Sequence, residues 1–173
     1  MVIVVEGHDL AGKSTLTEAL SMYTQFPILN NRSYKFSNEA EHHKLIDFKA
    51  NVEYNFFLMN IKLFPSLIID RFIISNIVYP KIYKRNYDYS YMKKEDWKDI
   101  DLKLVFVAIE DEKIIEERLR KRGDFLDLNL QKIVALREAY KEAFKEFGMP
   151  YLTLNGSLPI LDNINIMKNE FKL

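Results

Sequence analysis

Nine residues near the start of the chain, Gly7-His8-Asp9-Leu10-Ala11-Gly12-Lys13-Ser14-Thr15, constrain its fold more than any other stretch. They fit the spacing of glycine, four residues, then Gly-Lys-Ser/Thr, and each position has a task. The glycines let backbone N–H groups turn inward around phosphates, the lysine reaches the outer phosphates, and the hydroxyl binds Mg²⁺. The flanks agree with this reading. Val2-Ile3-Val4-Val5 is a β-branched run of the kind buried in parallel sheets, and Leu16, Ala19, Leu20 and Tyr23 follow at helical spacing. Strand, phosphate loop and helix therefore come in the required order, and the loop is expected to take ATP through residues 7 to 15.

Further short apolar runs recur at Tyr34-Lys35-Phe36, Leu67-Ile68-Ile69, Leu102 to Ile109 and Tyr151 to Leu154, with helical periodicity between them. Alternation of this kind predicts an α/β fold with a five-stranded parallel sheet and helices on both faces. The 173 residues read as a single domain spanning 1–173, since only five glycines and no Pro/Gly/Ser linker divide them. There is no cysteine, which removes thiolate chemistry and Cys-based metal sites. Lys+Arg and Asp+Glu are equal at 25 each, which argues against a nucleic-acid-binding surface. The N-terminus enters a strand without a basic leader, and no apolar stretch approaches membrane-spanning length. Together these features predict a soluble, cytoplasmic protein with small-molecule partners, no nucleic acid and no membrane.

Ligands of such sheets bind beyond the carboxyl ends of the strands, so the residues after each run carry the candidate chemistry. Asp9 is unusual inside an anion-binding loop and should face a hydroxyl, a cation or water instead of phosphate. After the second run, Lys35 is a candidate to neutralise a second phosphate and Phe36 to wall a pocket. An outward lysine and an inward phenylalanine on an edge strand would read the same way. Residues 39 to 64 have helical character and end in an aromatic-rich stretch containing Phe57 and Asn60; an aromatic beside an amide can stack on and then read a planar base, although most of these rings must be core. His42 and His43 are adjacent, point about 100° apart on a helix, and receive no role.

The third run leads into Asp70-Arg71-Phe72. A carboxylate ending an apolar strand in a phosphate-loop protein is placed to hold Mg²⁺ with Ser14, and Arg71 supplies a planar fork for phosphate. Ser75 and Tyr79 follow Arg71 at four and eight residues, on one helical face. Pro80 to Trp97 shows little apolar periodicity and reads as a covering segment. Glu112 opens a helix in which Glu116–Arg120 and Glu117–Lys121 form pairs four residues apart, leaving Arg118 and Arg122 without partners inside the helix. Such a basic face before Gly123 suits a lid, about 118–128, closing over transferring phosphates. The last long helix carries an apolar stripe of Leu130, Ile133, Val134, Phe144 and Phe147, with Arg137 beside it expected to pair with an acid.

Val4 to Thr15, with its Glu-Gly opening and internal aspartate, resembles the phosphate loop of the thymidylate kinases. Asp70-Arg71-Phe72 with Ser75 and Tyr79 resembles that family's Asp-Arg-aromatic segment, and 117–122 resembles its arginine lid. The resemblance spans most of the chain and implies the P-loop nucleotide-kinase fold, ATP and Mg²⁺ as cofactors, and a homodimer. By position it implies that Asp9 contacts the acceptor sugar and Arg71 and Lys35-Phe36 lie at the acceptor phosphate. It likewise puts Phe57 against the base, Tyr79 against the sugar, and Lys13, Arg118 and Arg122 at the transferring group. Two positions depart: Leu10 stands where some relatives carry arginine, and Ile61 follows Asn60 where many carry arginine. The expected activity is transfer of the ATP γ-phosphoryl to a deoxynucleoside 5′-monophosphate, dTMP first. A deoxynucleoside kinase, with a carboxylate such as Glu39 as base, is the nearest alternative, and a non-catalytic nucleotide-binding regulator is the alternative from another class.

Overall fold

The computed structural model describes residues 1–30, 52, 54–83, 94–122 and 129–173. In chain order the elements are β1 (Val2–Glu6), α1 (Lys13–Thr24), β2 (Ile28–Asn30), α2 (54–63), β3 (Leu67–Asp70), α3 (Ile73–Ile82), β4 (Leu102–Ala108), α4 (Glu112–Arg122), α5 (Leu130–Phe147), β5 (Tyr151–Asn155) and α6 (Ile160–Phe171). The five strands form one parallel sheet in the order β2-β3-β1-β4-β5. β1 lies in the middle, and the chain leaves it first toward β3 and β2 and later toward β4. The strand order thus reverses around β1, which is where a ligand crevice opens in sheets of this kind.

Alternation along the strands builds two cores. Val2, Val4, Leu67, Ile69, Leu104, Phe106 and Ala108 face one way, toward α2, α3 and α5. Ile3, Val5, Ile68, Val105 and Val107 face the other, toward α1 and α6. A period of two on central strands covered on both faces explains the nearly continuous apolar runs. A third, small cluster of Ile109, Ile115 and Ile133 joins α4 to α5. The apolar stripe expected on α5 is present: Ile133 and Phe144 are fully buried, Phe147 nearly so, and Leu130 packs against the third cluster. Asn129 caps α5 by accepting from Lys132 N at 2.9 Å, and Gly148 ends it in the left-handed region.

Three expectations change. The described second strand is Ile28–Asn30, directly after Pro27, while the run at 34–36 lies outside the described residues. Two apolar residues were too short a run to register as a strand, but pairing with Ile68–Asp70 supplies the ladder that propensity did not. α3 continues through Pro80 to Ile82, although proline breaks isolated helices. The covering segment that sequence placed before Trp97 also holds core: Trp97 is 2% exposed and meets Tyr54 and Phe72 edge-on at 5.6 and 5.3 Å. Among the described residues, no helix is long and apolar enough to cross a membrane.

Candidate phosphate-transfer site

The loop between β1 and α1 is pressed against its neighbours. Gly7 has φ +145°, and a Cβ there would lie 2.1 Å from the carbonyl oxygen of Val107, so only glycine lets β1 end this close to β4. Gly12, at φ +90°, is the N-cap of α1 and offers no side-chain acceptor. The first amides of α1 are therefore left for an outside anion, and the positive end of the helix dipole favours one. On the other flank the turn after β5 abuts the loop, where a Cβ on Gly156 would lie 2.1 Å from the oxygen of Ala11.

Two loop side chains turn inward. His8 is fully buried; its Nε2 accepts from the amide of Ile109 at 3.0 Å, so Nδ1 carries the proton and donates to the carbonyl of Asp9 at 2.7 Å. Burial, with lesser help from Lys13, pushes the imidazole down to about 4. It is a neutral strut between the loop and the end of β4. Lys13 is 5% exposed and donates to the carbonyl of His8 at 2.7 Å. Burial is the main cause that lowers its ammonium to about 7, with Arg71 adding to the effect and Asp9, Asp70 and Glu6 opposing it.

Beyond the carboxyl end of β3, Asp70 accepts from Ser14 Oγ at 3.2 Å through Oδ2, while its Oδ1 is buried without a hydrogen-bond partner. A hydroxyl beside an orphaned carboxylate oxygen is a donor set that fits Mg²⁺, which takes one or two protein oxygens and fills its octahedron with phosphates and water. Among the described residues, no group of three or more histidines and acids could hold a metal by itself.

The next residue, Arg71, sits at φ +66° and turns its guanidinium back over the loop. Nη1 donates to the carbonyl of Gly7 at 3.0 Å and to Tyr140 Oη at 2.8 Å, and Nη2 donates to Asp9 Oδ1 at 2.8 Å. Tyr79 Oη donates to Asp9 Oδ2 at 3.1 Å, and its ring lies under the guanidinium at 5.1 Å. Asp9 thus faces a cation and a hydroxyl, as the charge argument required.

Arg118 also finds partners outside its helix. It donates to the carbonyls of Leu10 at 2.9 Å and Gly156 at 2.8 Å, bridging the phosphate loop to the turn after β5. Arg122, immediately before the undescribed part of the expected lid, is exposed at the end of α4. Arg137 is a structural ion-pair centre, as its position beside the stripe suggested. It donates to the carbonyls of Ile109 and Glu110 and lies 2.8 Å from Glu138 and 3.5 Å from Glu110.

The structure thus gathers Gly7 to Thr15, Asp70, Arg71, Tyr79 and Arg118 around the carboxyl end of the sheet. Phe57 stands apart: it is 3% exposed in the core and packs on Phe72 at 4.5 Å, while Asn60 spends its amide on the carbonyl of Phe56 at 2.7 Å. Alternation of aromatics with helical spacing serves a core as well as a base, and here Phe57 lies in the core while Asn60 stays partly exposed. Lys35, Phe36 and Glu39 lie outside the described residues. Sequence reasoning passed over Glu6, Tyr140 and Asn76. Glu6 and Tyr140 are buried polar groups in an apolar strand and on an apolar stripe, and a charge inside a buried β-run was the available signal. Asn76, on α3, keeps a buried Nδ2 with no partner.

No family model matches the chain. It is 28% identical over 153 residues to the SPbeta prophage-derived uncharacterized protein YorR of Bacillus subtilis (strain 168), covering 86% of this chain and 84% of that one. The crystal structure of YorR in complex with phosphorylated GDP superposes with a TM-score of 0.67 at 26% identity, over 100% of this chain and 99% of that one. Deoxyadenosine kinase from M. mycoides with bound dATP superposes over the whole of both chains with a TM-score of 0.71 at 18% identity. The same kinase with dCMP and a flexible dCDP bound gives 0.66 at 19%, over 99% of each chain. The fold is therefore that of the P-loop nucleoside kinases.

Proposed function

We propose that this chain is an ATP-dependent deoxynucleoside kinase, which moves the γ-phosphoryl of ATP to the 5′-hydroxyl of a deoxynucleoside. The observation that carries the reading is the charge balance beside the phosphate loop. Arg71 is the described cation of the acceptor side, and Asp9 neutralises it at 2.8 Å. A paired, buried cation suits a neutral hydroxyl acceptor better than a dianionic monophosphate, which needs uncompensated positive charge. The full-length likeness to deoxyadenosine kinases supports the same choice. The acceptor expected from sequence, dTMP, is replaced on these grounds by an unphosphorylated one.

In the transfer, the acceptor oxygen bonds to the γ-phosphorus, the bond to the β,γ-bridging oxygen breaks, and the acceptor proton passes to a carboxylate. Asp9 is the described carboxylate within the loop; Glu39 is the candidate supplied by sequence. Lys13 and the amides at the start of α1 hold the phosphates, and Arg118 closes the flank toward the turn after β5. Ser14 and Asp70 would hold Mg²⁺, which would supply charge neutralisation for the phosphates. Asn76, with a buried donor to spare, is the candidate to read an acceptor base.

A monophosphate acceptor remains the second reading, because Arg71 uses three of its five donors and keeps two for an oxygen ligand. Incubation with ATP, Mg²⁺ and each deoxynucleoside, followed by chromatography, tests the choice. Formation of the deoxynucleoside monophosphate supports the first reading; conversion of monophosphates alone to diphosphates supports the second.

A homodimer is also part of the reading. Val52, Phe56, Met59 and Leu63 are exposed at 49, 48, 52 and 68% and follow one another at spacings of four, three and four along one helical face. That seam has the period of paired helices, and its spacing is the same read in either direction, as an antiparallel two-fold contact requires.

A further inference from the structure

Glu6 is a charged side chain at 0% exposure in the central strand, and nothing in the transfer chemistry uses it. Its Oε1 accepts from three backbone amides at the start of α3: Phe72 at 2.8 Å, Ile74 at 3.0 Å and Ser75 at 3.3 Å. α3 has no cap of its own, since Phe72 occupies its N-cap, so a carboxylate from β1 does that work from across the sheet. Oε2 accepts from the hydroxyl of Ser75. Ser75 Oγ also lies 2.7 Å from Tyr140 Oη, which in turn accepts from Arg71 Nη1 at 2.8 Å.

Burial raises the pKa of the Glu6 carboxyl, and the hydrogen bonds from Ser75 and Phe72 and the charge of Arg71 oppose that rise. With Glu6 ionised, counting hydrogens gives the direction of this chain. Ser75 has one hydroxyl hydrogen and gives it to Glu6, so Tyr140 must give its own to Ser75, and the oxygen of Tyr140 is left with its lone pairs toward Arg71. Every bond runs one way, from guanidinium through two hydroxyls to a carboxylate. We propose that Glu6 is a positioning residue: as the anionic end of the chain Arg71–Tyr140–Ser75–Glu6, it holds the Arg71 guanidinium in place over the phosphate loop for the acceptor.

Glu6→Gln reverses the chain without changing its shape. The amide oxygen keeps the three backbone donors, but the new NH₂ group faces Ser75 and makes it accept. Ser75 then donates to Tyr140, whose oxygen takes two donors while its own hydrogen loses its acceptor. Tyr140→Phe cuts the same chain in the middle and leaves the cap on α3 intact. Both substitutions should therefore loosen Arg71 to the same degree, and the double variant should do no more.

The inference rests on the acceptor reading above, so the test carries two readouts on the wild type, Glu6→Gln, Tyr140→Phe and the double variant. Steady-state kinetics should show the acceptor KM raised about tenfold in each single variant, the same rise in the double, and ATP KM within about twofold of wild type. Parallel movement of both KM values, multiplying effects, or a silent Glu6→Gln would overturn the proposal. The second readout needs no turnover: the Arg71 guanidinium ¹⁵N–¹H signals, assigned by their loss in Arg71→Lys, should exchange slowly in wild type and fast in all three variants. If the wild type converts no acceptor, the acceptor reading fails, and these signals alone decide: unchanged exchange refutes the chain, and accelerated exchange upholds it. Ser75→Ala takes the place of Glu6→Gln should that variant not fold.

Discussion

Lys13 offers the sharpest quantitative test of the loop. Its ammonium is buried and donates to the carbonyl of His8, and its pKa is lowered to about 7 from an ordinary 10.5. In the nucleotide-free protein at about pH 8, only about one Lys13 in ten is charged. Bound triphosphate restores the cation, because an anion within reach favours the charged form, so nucleotide binding must take up a proton. The expected uptake is about 0.9 proton at pH 8 and about 0.1 at pH 6. Affinity follows: between about pH 7 and pH 8.5 the charged fraction falls from about one half to about 3%, a loss of about 16-fold, or about 1.6 kcal/mol. Titration calorimetry in buffers of different ionisation enthalpy measures the uptake directly. Lys13→Arg serves as the control, since a guanidinium stays charged and removes the Lys13 contribution while leaving protons exchanged by the nucleotide itself. Equal uptake in wild type and Lys13→Arg, or an affinity flat across this range, would refute the argument.

Two further outcomes follow from the packing. His8 is neutral in the fold with its pKa near 4, against 6.5 ordinarily, so the unfolded chain binds more protons between these values and stability is lost as pH falls from about 6.5 toward 4. Urea unfolding should show about 2 kcal/mol less stability at pH 5 than at pH 7 from this group alone, a loss that His8→Asn should abolish. Gly156→Ala would set a Cβ 2.1 Å from the oxygen of Ala11 and push the turn after β5 off the phosphate loop, breaking the contact of Arg118 with the Gly156 carbonyl. Its ATP KM should rise at least about tenfold and its stability fall by about 1–3 kcal/mol. An unchanged ATP KM in Gly156→Ala would separate that turn from the nucleotide site.

The parts of the site legible in the sequence are those whose chemistry is local. Gly7, Gly12, Lys13 and Ser14 lie in or beside one loop, and Asp70-Arg71 lie at one strand end, so their spacing alone places them together. The helix of residues 130–147 was legible for the same reason, because a stripe of period 3.6 needs no partner to be recognised. Residues whose role depends on what arrives from elsewhere were not legible. Arg118 looked unpartnered because its partners are carbonyls 108 and 38 residues away. Glu6 looked like part of a motif opening, but its donors lie 66 to 69 residues on. β2 escaped because Ile28–Asn30 is held by its neighbour in the sheet more than by its own composition. The aromatic stretch at Phe57 shows the ambiguity from the other side, where a pattern compatible with base stacking also packs in the core, with Phe57 on Phe72 and Phe72 on Trp97.

The neutral pair of Asp9 and Arg71 is the basis for preferring a hydroxyl acceptor, and one comparison of rates bears on it directly. With ATP and Mg²⁺ held in excess, kcat/KM would be measured for each deoxynucleoside and for its own 5′-monophosphate on the same protein preparation. A deoxynucleoside should be the better acceptor of its pair by at least about a hundredfold, roughly the cost of placing a second phosphate beside Arg71, which among the described residues is already neutralised by Asp9. Turnover confined to the monophosphates would contradict it and return the chain to the monophosphate kinases.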